Sequence, residues 1–372
     1  MKNKLRILLA AVLIVWLPGC SEAVDLENLT LGLVIGVDLD EHNQLVSYFS
    51  SPLFNKNVSK STLTLESNAK TLRATRREFD SMATGLAVGG KTQVILIGKR
   101  LMQHGDWFSL FDVFFRDAKN SLSERVIAVD GDVSEIMQNI PQDMPPLSLH
   151  LASLIDTKEL RNETVKTNLQ QFDKQMFEKG ITPYISLIKV ENERIKLTGT
   201  ALLDKKGRLV MTLDQNETTL LRILQNSSRG QQSLSASIPG AQKSDIYDKN
   251  NLTFSINSVK NKMKTGYRDG KFEFDIKLNM FVSLKERLFT YDMRKNREKL
   301  EQQIQEQIKK QFEELIKKCQ KNQIDPIGLG QYARAYQYKK WKQVQEHWGE
   351  TFSEADVHLS VKTNIKYMGP VK

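Results

Sequence analysis

Three sets of residues carry types and spacings that could do chemistry. Gly85-Leu-Ala-Val-Gly-Gly90-Lys91-Thr92 fits the glycine-rich pattern whose backbone N–H groups cradle phosphates while a lysine reaches their oxygens. That chemistry needs a strand before the loop and a helix after it, so that the helix N-terminus faces the phosphates. Here an amphipathic stretch comes first and an apolar, strand-like run, Thr92 to Gly98, comes after. A glycine-rich turn from helix to strand is expected, with no nucleotide. Ser186-Leu-Ile-Lys189, Ser255-Ile-Asn257 and Lys264-Thr-Gly266 mimic the fragments of penicillin-binding enzymes. Ser186 falls inside an expected strand, whereas that nucleophile opens a helix, and the other two fragments share one expected hairpin. His42, His104, His150, His347 and His358 lack the paired helical spacing that suits zinc. Cys319 falls on the apolar stripe of a long helix and reads as a buried thiol. No catalytic residue, metal or cofactor is expected.

The one residue with a chemical role legible from its surroundings is Cys20. Lys2, Lys4 and Arg6 precede eleven apolar residues, Ile7 to Leu17, and then Pro18-Gly19-Cys20. A bilayer-spanning helix needs about 20 apolar residues, so this run has the length of a secretory signal instead. Leu17-Pro18-Gly19-Cys20 resembles a bacterial lipobox. That resemblance implies that residues 1–19 are a signal peptide and that Cys20 is acylated on sulfur as the first residue of the mature chain.

The elements that must position the rest are ordinary globular ones. The 372 residues include 26% charged and 40% hydrophobic types, the composition of folded domains. Two cysteines cannot build a disulfide framework or a four-cysteine zinc site. The net charge of +10 falls to +7 without Lys2, Lys4 and Arg6. Nucleic acid is not expected as a partner of an exported chain. A weak pull toward anionic lipid is conceivable, but an even dispersal of the charges is the preferred reading.

Asp38 to Gln44 reads as the turn of a hairpin, Ser61 to Glu66 as a half-exposed strand, and Leu72 to Leu86 as a helix by its apolar spacing. Phe108 to Phe115 reads as helical, Glu124 to Val129 as a strand, and Asp132 as the cap of a short helix. Pro141 to Pro146 is the first break. A helix around Leu169 to Met176, a strand at Tyr184 to Val190 and a hairpin from Ile195 to Asp214 come next. Asn216 is expected to cap a helix, and Gln225 to Ser237 to be an exposed linker. Alternation at Leu252, Phe254 and Ile256 and from Phe272 to Met280 makes two strands. A long helix carries Leu300, Ile304, Ile308, Phe312, Leu315 and Cys319 on one face, and a second runs near Gly328 to Gln345. Tyr332, Tyr336, Tyr338, Trp341 and Trp348, beside Lys339, Lys340 and Lys342, read as part core and part protein or lipid contact. A final strand from Val357 to Ile365 completes an antiparallel sheet with helices on one face. The divisions are residues 20–30 as lipidated cysteine and tether, 31–145 as an N-terminal α/β domain, 146–232 as a middle domain and 233–372 as a C-terminal α+β domain.

With these pieces placed, the chain resembles the C-subunit lipoproteins of spore nutrient-germinant receptors. The resemblance is carried by Gly36-Val-Asp38, by Lys91-Thr-Gln-Val-Ile-Leu-Ile-Gly98 through Phe114-Phe-Arg-Asp117, and by Glu124-Arg-Val-Ile-Ala-Val-Asp-Gly131 with Ser134-Glu-Ile136. Ile195-Lys-Leu-Thr-Gly-Thr-Ala201 and Asp204-Lys-Lys-Gly-Arg-Leu209 extend it. Asp325-Pro-Ile-Gly-Leu-Gly330, Trp348 and Val361-Lys-Thr-Asn-Ile365 are its most specific part. Ser21, Lys91 and Lys99 depart from the residues often found in that family. The resemblance implies an α+β ectodomain of about three mixed α/β domains, with mainly antiparallel or mixed sheets flanked by helices. It also implies a non-enzymatic lipoprotein on the outer face of the spore inner membrane, with integral-membrane A and B subunits as partners in triggering germination. A solute-binding lipoprotein of a transporter and a cell-wall-active serine enzyme are the alternatives.

Overall fold

In the computed structural model, the described residues are 25, 28–53, 62–83, 85–138, 144–228, 230, 232–238, 250–288 and 293–367. The signal peptide, the lipobox Leu17, Pro18, Gly19 and Cys20, and most of the tether lie outside them.

The first half of the chain alternates strands and helices. In order come β1 (Leu29–Leu31), β2 (Val34–Leu39), β3 (Leu45–Pro52), β4 (Thr62–Ser67), α1 (Leu72–Met82), β5 (Leu86–Val88) and β6 (Val94–Ile97). A 3-10 turn at Trp107–Phe111 leads into α2 (Asp112–Arg116), then β7 (Arg125–Val129), α3 (Val133–Gln138), α4 (Leu147–Leu160) and α5 (Leu169–Phe177). The strands β8 (Tyr184–Glu191), β9 (Arg194–Leu203) and β10 (Leu209–Leu213) precede α6 (Gln215–Leu224).

Eight of these strands form one sheet in the order β10-β9-β8-β7-β6-β2-β3-β4. The middle is parallel, and the hairpins β2–β3–β4 and β8–β9–β10 extend it antiparallel on either side. The four residues of β6 are buried on both faces, as a central parallel strand requires. Val37, Ile95, Ile97 and Val126 pack with Phe111, Phe114 and Phe172 on one face. Val34, Val94, Leu96 and Ile127 pack with Val133, Ile136, Leu151 and Ile155 on the other. The expected break at 141–146, itself only partly within the described residues, does not end this sheet. Strands of 31–145 and of 146–232 share it, because β8 pairs parallel with β7 through Ile127 opposite Ser186.

The second half forms a four-stranded sheet in the order β11-β12-β13-β14. Its elements are β11 (Gln232–Ser237), β12 (Asn251–Arg268), β13 (Lys271–Arg287), α7 (Met293–Lys321), α8 (Leu329–Tyr336), α9 (Tyr338–Val344), α10 (Trp348–Ser353) and β14 (Asp356–Tyr367). Helix α7 buries Leu300, Ile304, Ile308, Phe312, Leu315 and Cys319 against the sheet. Each such apolar side chain contributes roughly 1.5–3 kcal/mol of transfer free energy. The other face of the sheet is open to solvent. Since β14 follows a helical crossover, it pairs parallel with β13, so this sheet is mixed rather than antiparallel.

Several local expectations change. Leu86 sits in β5 and is exposed, so the helix before it stops at Met82. The cap of α6 is Asp214, which makes a reciprocal capping box with Glu217, and not Asn216. The Ser- and Gln-rich stretch expected to be a linker contains β11, whose Leu234 and Ala236 alternate into the core. Among the described residues no helix is long and apolar enough to cross a membrane.

Candidate functional site

Two buried carboxylates organise the molecule. Asp38, at the end of β2, is surrounded by N–H donors. Oδ1 accepts from the backbone of Leu39 (2.9 Å) and Leu101 (3.3 Å), and Oδ2 from Val133 (3.2 Å). Position 98 carries no side chain because Asp38 fills its space: a Cβ there would fall 1.8 Å from Asp38 Cγ. The amide of Val133 opens α3, so Asp38 on β2 accepts from the first N–H of that helix. Asp132 instead pairs with Arg100 at 3.2 Å. Burial raises the Asp38 carboxyl above its ordinary range, against the lowering effect of the three amides.

Asp325 is fully enclosed where the two halves meet. Oδ1 accepts from Gly328 N (2.9 Å), while Oδ2 accepts from Gly330 N and Trp348 Nε1 (2.8 and 2.9 Å). The Asp325 backbone N–H donates to Thr182 Oγ1 at 2.8 Å, and its carbonyl accepts from Thr182 N at 2.9 Å. Gly330 lies against Gly180, and a Cβ on Gly330 would approach both Gly180 Cα and Trp348 Nε1 to 2.6 Å. Burial again pushes the carboxyl up despite its hydrogen bonds. The same seam is crossed by Lys318–Glu217 (2.8 Å), Arg334–Glu178 (2.9 Å) and Gln225 Nε2 donating to Pro326 O (2.7 Å).

Lys205 supports the seam from below. Its ammonium donates to the carbonyls of Gln175, Glu178 and Ile181 at 2.5, 2.5 and 2.7 Å, closing the C-terminal end of α5. Desolvation of that ammonium lowers its pKa to about 8, although Glu178 and Asp325 pull the other way. Open space remains beside these contacts. A cleft of about 370 Å³ is lined by Thr182, Lys205, Gln323, Asp325, Trp348 and Gly349 among others. A second one of about 340 Å³ is lined by Lys166, Tyr184, Arg222, Ser227 and Gln331 among others. Away from the seam, an apolar recess of about 80 Å³ lies between α1 and the large sheet, bounded by Ile35, Phe49, Leu72, Phe79, Val113 and Phe114.

Glu124 is a third unusual carboxylate. It is 1% exposed, and neither carboxyl oxygen has a hydrogen-bond partner among the described residues. Desolvation raises its pKa from 4.5 to about 7.

The other residues singled out by spacing fall apart in space or are spent internally. Gly85 to Thr92 contains β5 and leads into β6 with no helix after it, so the backbone cradle for phosphate is not formed. Thr92 donates its hydroxyl to Gly32 O and Gly89 O. Ser186 lies in β8 and donates to Val165 O, whereas Ser255 and Lys264 lie on β12 in the other sheet. Cys319 is buried, and burial pushes its thiol far above the range of a nucleophile. No group of three metal-ligating side chains occurs among the described residues. Trp341 and Trp348 are core, while Tyr336 and Tyr338 are 66% and 54% exposed.

Asp38, Asp325 and Glu124 were invisible as sites to spacing rules because none belongs to a catalytic pattern. The available signal was a carboxylate set among apolar residues and glycines, as in Gly36-Val-Asp38 and Ile324-Asp325-Pro-Ile-Gly328.

Comparison with known proteins finds similarity along most of the chain. Residues 22–190 match the family described as spore germination protein N-terminal domain. Residues 198–369 match the family described as spore germination B3/GerAC like, C-terminal. Spore germination protein GerQC of Bacillus cereus is 20% identical over 98% of this chain and 99% of its own length. Spore germination protein A3 of Bacillus subtilis (strain 168) is 23% identical over 98% of each chain. Spore germination protein YndF of the same organism is 23% identical over 71% of this chain, which spans 64% of YndF. The crystal structure of the GerBC protein shares the fold, with a TM-score of 0.56 and 19% identity over 89% of this chain and 96% of that one. With two family models that match residues 22–190 and 198–369 in turn, the chain belongs to the GerAC-like family of spore germination proteins.

Proposed function

We propose that this chain is the lipid-anchored C subunit of a nutrient germinant receptor and takes part in triggering germination by protein–protein contact. One observation carries the reading. The residues at the heart of the family motifs, Asp38, Gly98, Asp325, Gly330 and Trp348, are committed to internal hydrogen bonds and close packing. What the motifs build is a braced scaffold, which leaves the outer surface to act. In this reading Cys20 carries the acyl chains that tether the scaffold to the outer face of the spore inner membrane. Two chains hold a protein stably where one is marginal. Tethering raises the local concentration of the ectodomain beside integral-membrane A and B subunits.

The anchor is tested by Cys20→Ala. The variant is expected to leave the membrane fraction and to slow nutrient-triggered germination. Full membrane retention of the variant would contradict the acyl anchor.

A further inference from the structure

The open face of the four-stranded sheet carries a lysine field. In the observed register Lys262 on β12 lies directly opposite Lys277 on β13, which pairs with Ser360 on β14. One step along, Lys260 is opposite Asn279, which pairs with Lys362. Lys264 extends the row on β12, and Lys366 extends that on β14. All six are exposed, while the alternate residues Phe274, Ile276, Leu278 and Met280 of β13 point to the helices. Among the described residues none of the six has a carboxylate partner within ion-pair distance. Asp275 is the acidic residue within the field, opposite Lys264 and His358, and Glu273 and Asp356 lie beyond it toward the hairpin turn.

This arrangement works against the stability of the sheet. Like charges directly opposite each other on neighbouring strands repel, and neutral or alternating residues would serve the exposed face better. The cations recur at about 7 Å along a strand and about 5 Å between strands. They are spread over the exposed face of three neighbouring strands, β12, β13 and β14. Phe281 is exposed on the same face, opposite Ser258 and Asn364. An array of ammonium groups across three strands, with an aromatic at its margin, is complementary in charge to a surface of anionic headgroups.

We propose that the outward face of β12–β14 docks on an anionic lipid surface through Lys260, Lys262, Lys264, Lys277, Lys362 and Lys366. The contact is separate from the acyl anchor: it fixes the orientation of the C-terminal half, while Cys20 fixes only its distance.

The test uses the full chain with vesicles of phosphatidylcholine alone or mixed with phosphatidylglycerol. Lysine acetylation is read residue by residue by mass spectrometry. The six lysines are expected to react several-fold more slowly on the anionic vesicles, and high salt should abolish the difference. Lys310, on the outer side of α7, should react equally on both. Replacing Lys260, Lys262, Lys277 and Lys362 together by Gln should weaken binding to anionic vesicles about tenfold or more, with thermal unfolding unchanged or raised. Equal reactivity of the six lysines on the two vesicle types would overturn the proposal. So would protection by polyglutamate with none by anionic vesicles, which would assign the face to an acidic protein. Because the readout lies in the sheet, it is independent of whether the Cys20 variant leaves the membrane.

Discussion

The carboxylate of Asp38 occupies the volume that a side chain at Gly98 would need, with the imagined Cβ 1.8 Å from Asp38 Cγ. The two positions lie at the ends of paired parallel strands, β2 and β6, and their identities are coupled. Gly98→Ala must therefore expel the carboxylate from its three amides or break the pairing. A loss of about 3 kcal/mol or more is expected in urea unfolding, the scale of overpacking added to lost buried hydrogen bonds. Asp38→Ala should cost a similar amount, and the double variant less than the sum of the two. A loss under about 1 kcal/mol for either single variant would contradict this coupling.

Asp325 makes the matching prediction for the seam. Replacing it by Ala leaves the N–H groups of Gly328, Gly330 and Trp348 buried without their acceptor. The expected cost is about 3–5 kcal/mol. Since the carboxylate fixes Gly330, which packs against Gly180 of the first half, calorimetry should show the unfolding of the variant separating into two transitions. A single transition at the wild-type temperature would refute the bracing role.

Glu124 predicts the pH dependence of stability. Its folded pKa of about 7 lies above the ordinary value of 4.5, so the folded state holds the proton more tightly than the unfolded state. Its contribution is complete below about pH 4.5, is lost as the pH rises toward 7, and is constant above that. The swing amounts to about 3 kcal/mol. Glu124→Gln keeps the shape without the charge. It should gain stability relative to the wild type at pH 8 and little at pH 4, measured by urea unfolding at both. Equal effects at the two pH values would contradict the assignment.

The glycine-rich segment before β6 predicts no response to nucleotide. Neither ATP nor GTP with magnesium should shift the melting temperature, and Lys91→Ala should behave as the wild type does in the same assay. A shift in the wild type that the variant abolishes would show that the loop binds phosphate after all.

Most elements were legible because their burial is periodic. The stripe from Leu300 to Cys319 and the alternation from Phe272 to Met280 each name one face of one element. Helix α4 was not legible: Leu149 and Leu160 are exposed while Ser148 is buried, so its apolar residues trace no clean stripe. Strand β11 hid in a polar composition, because only Leu234, Ala236 and Gln232 turn inward. Both carboxylate hubs depend on contacts distant in sequence, Asp38 with Val133 and Asp325 with Trp348, which no local pattern encodes. The lysine field was hidden for the same reason. Each row of alternating lysines reads as a solvated strand, and only the register between strands places Lys262 opposite Lys277.

The central claim, that this chain works as a subunit of a membrane receptor, is tested most directly by affinity purification of the tagged full chain from detergent-solubilised spore inner membrane. The account predicts that two integral-membrane proteins come with it in fixed proportion and that both are absent from a Cys20→Ala strain. Recovery of the chain alone from intact membrane, or with the permease of a solute transporter, would contradict it.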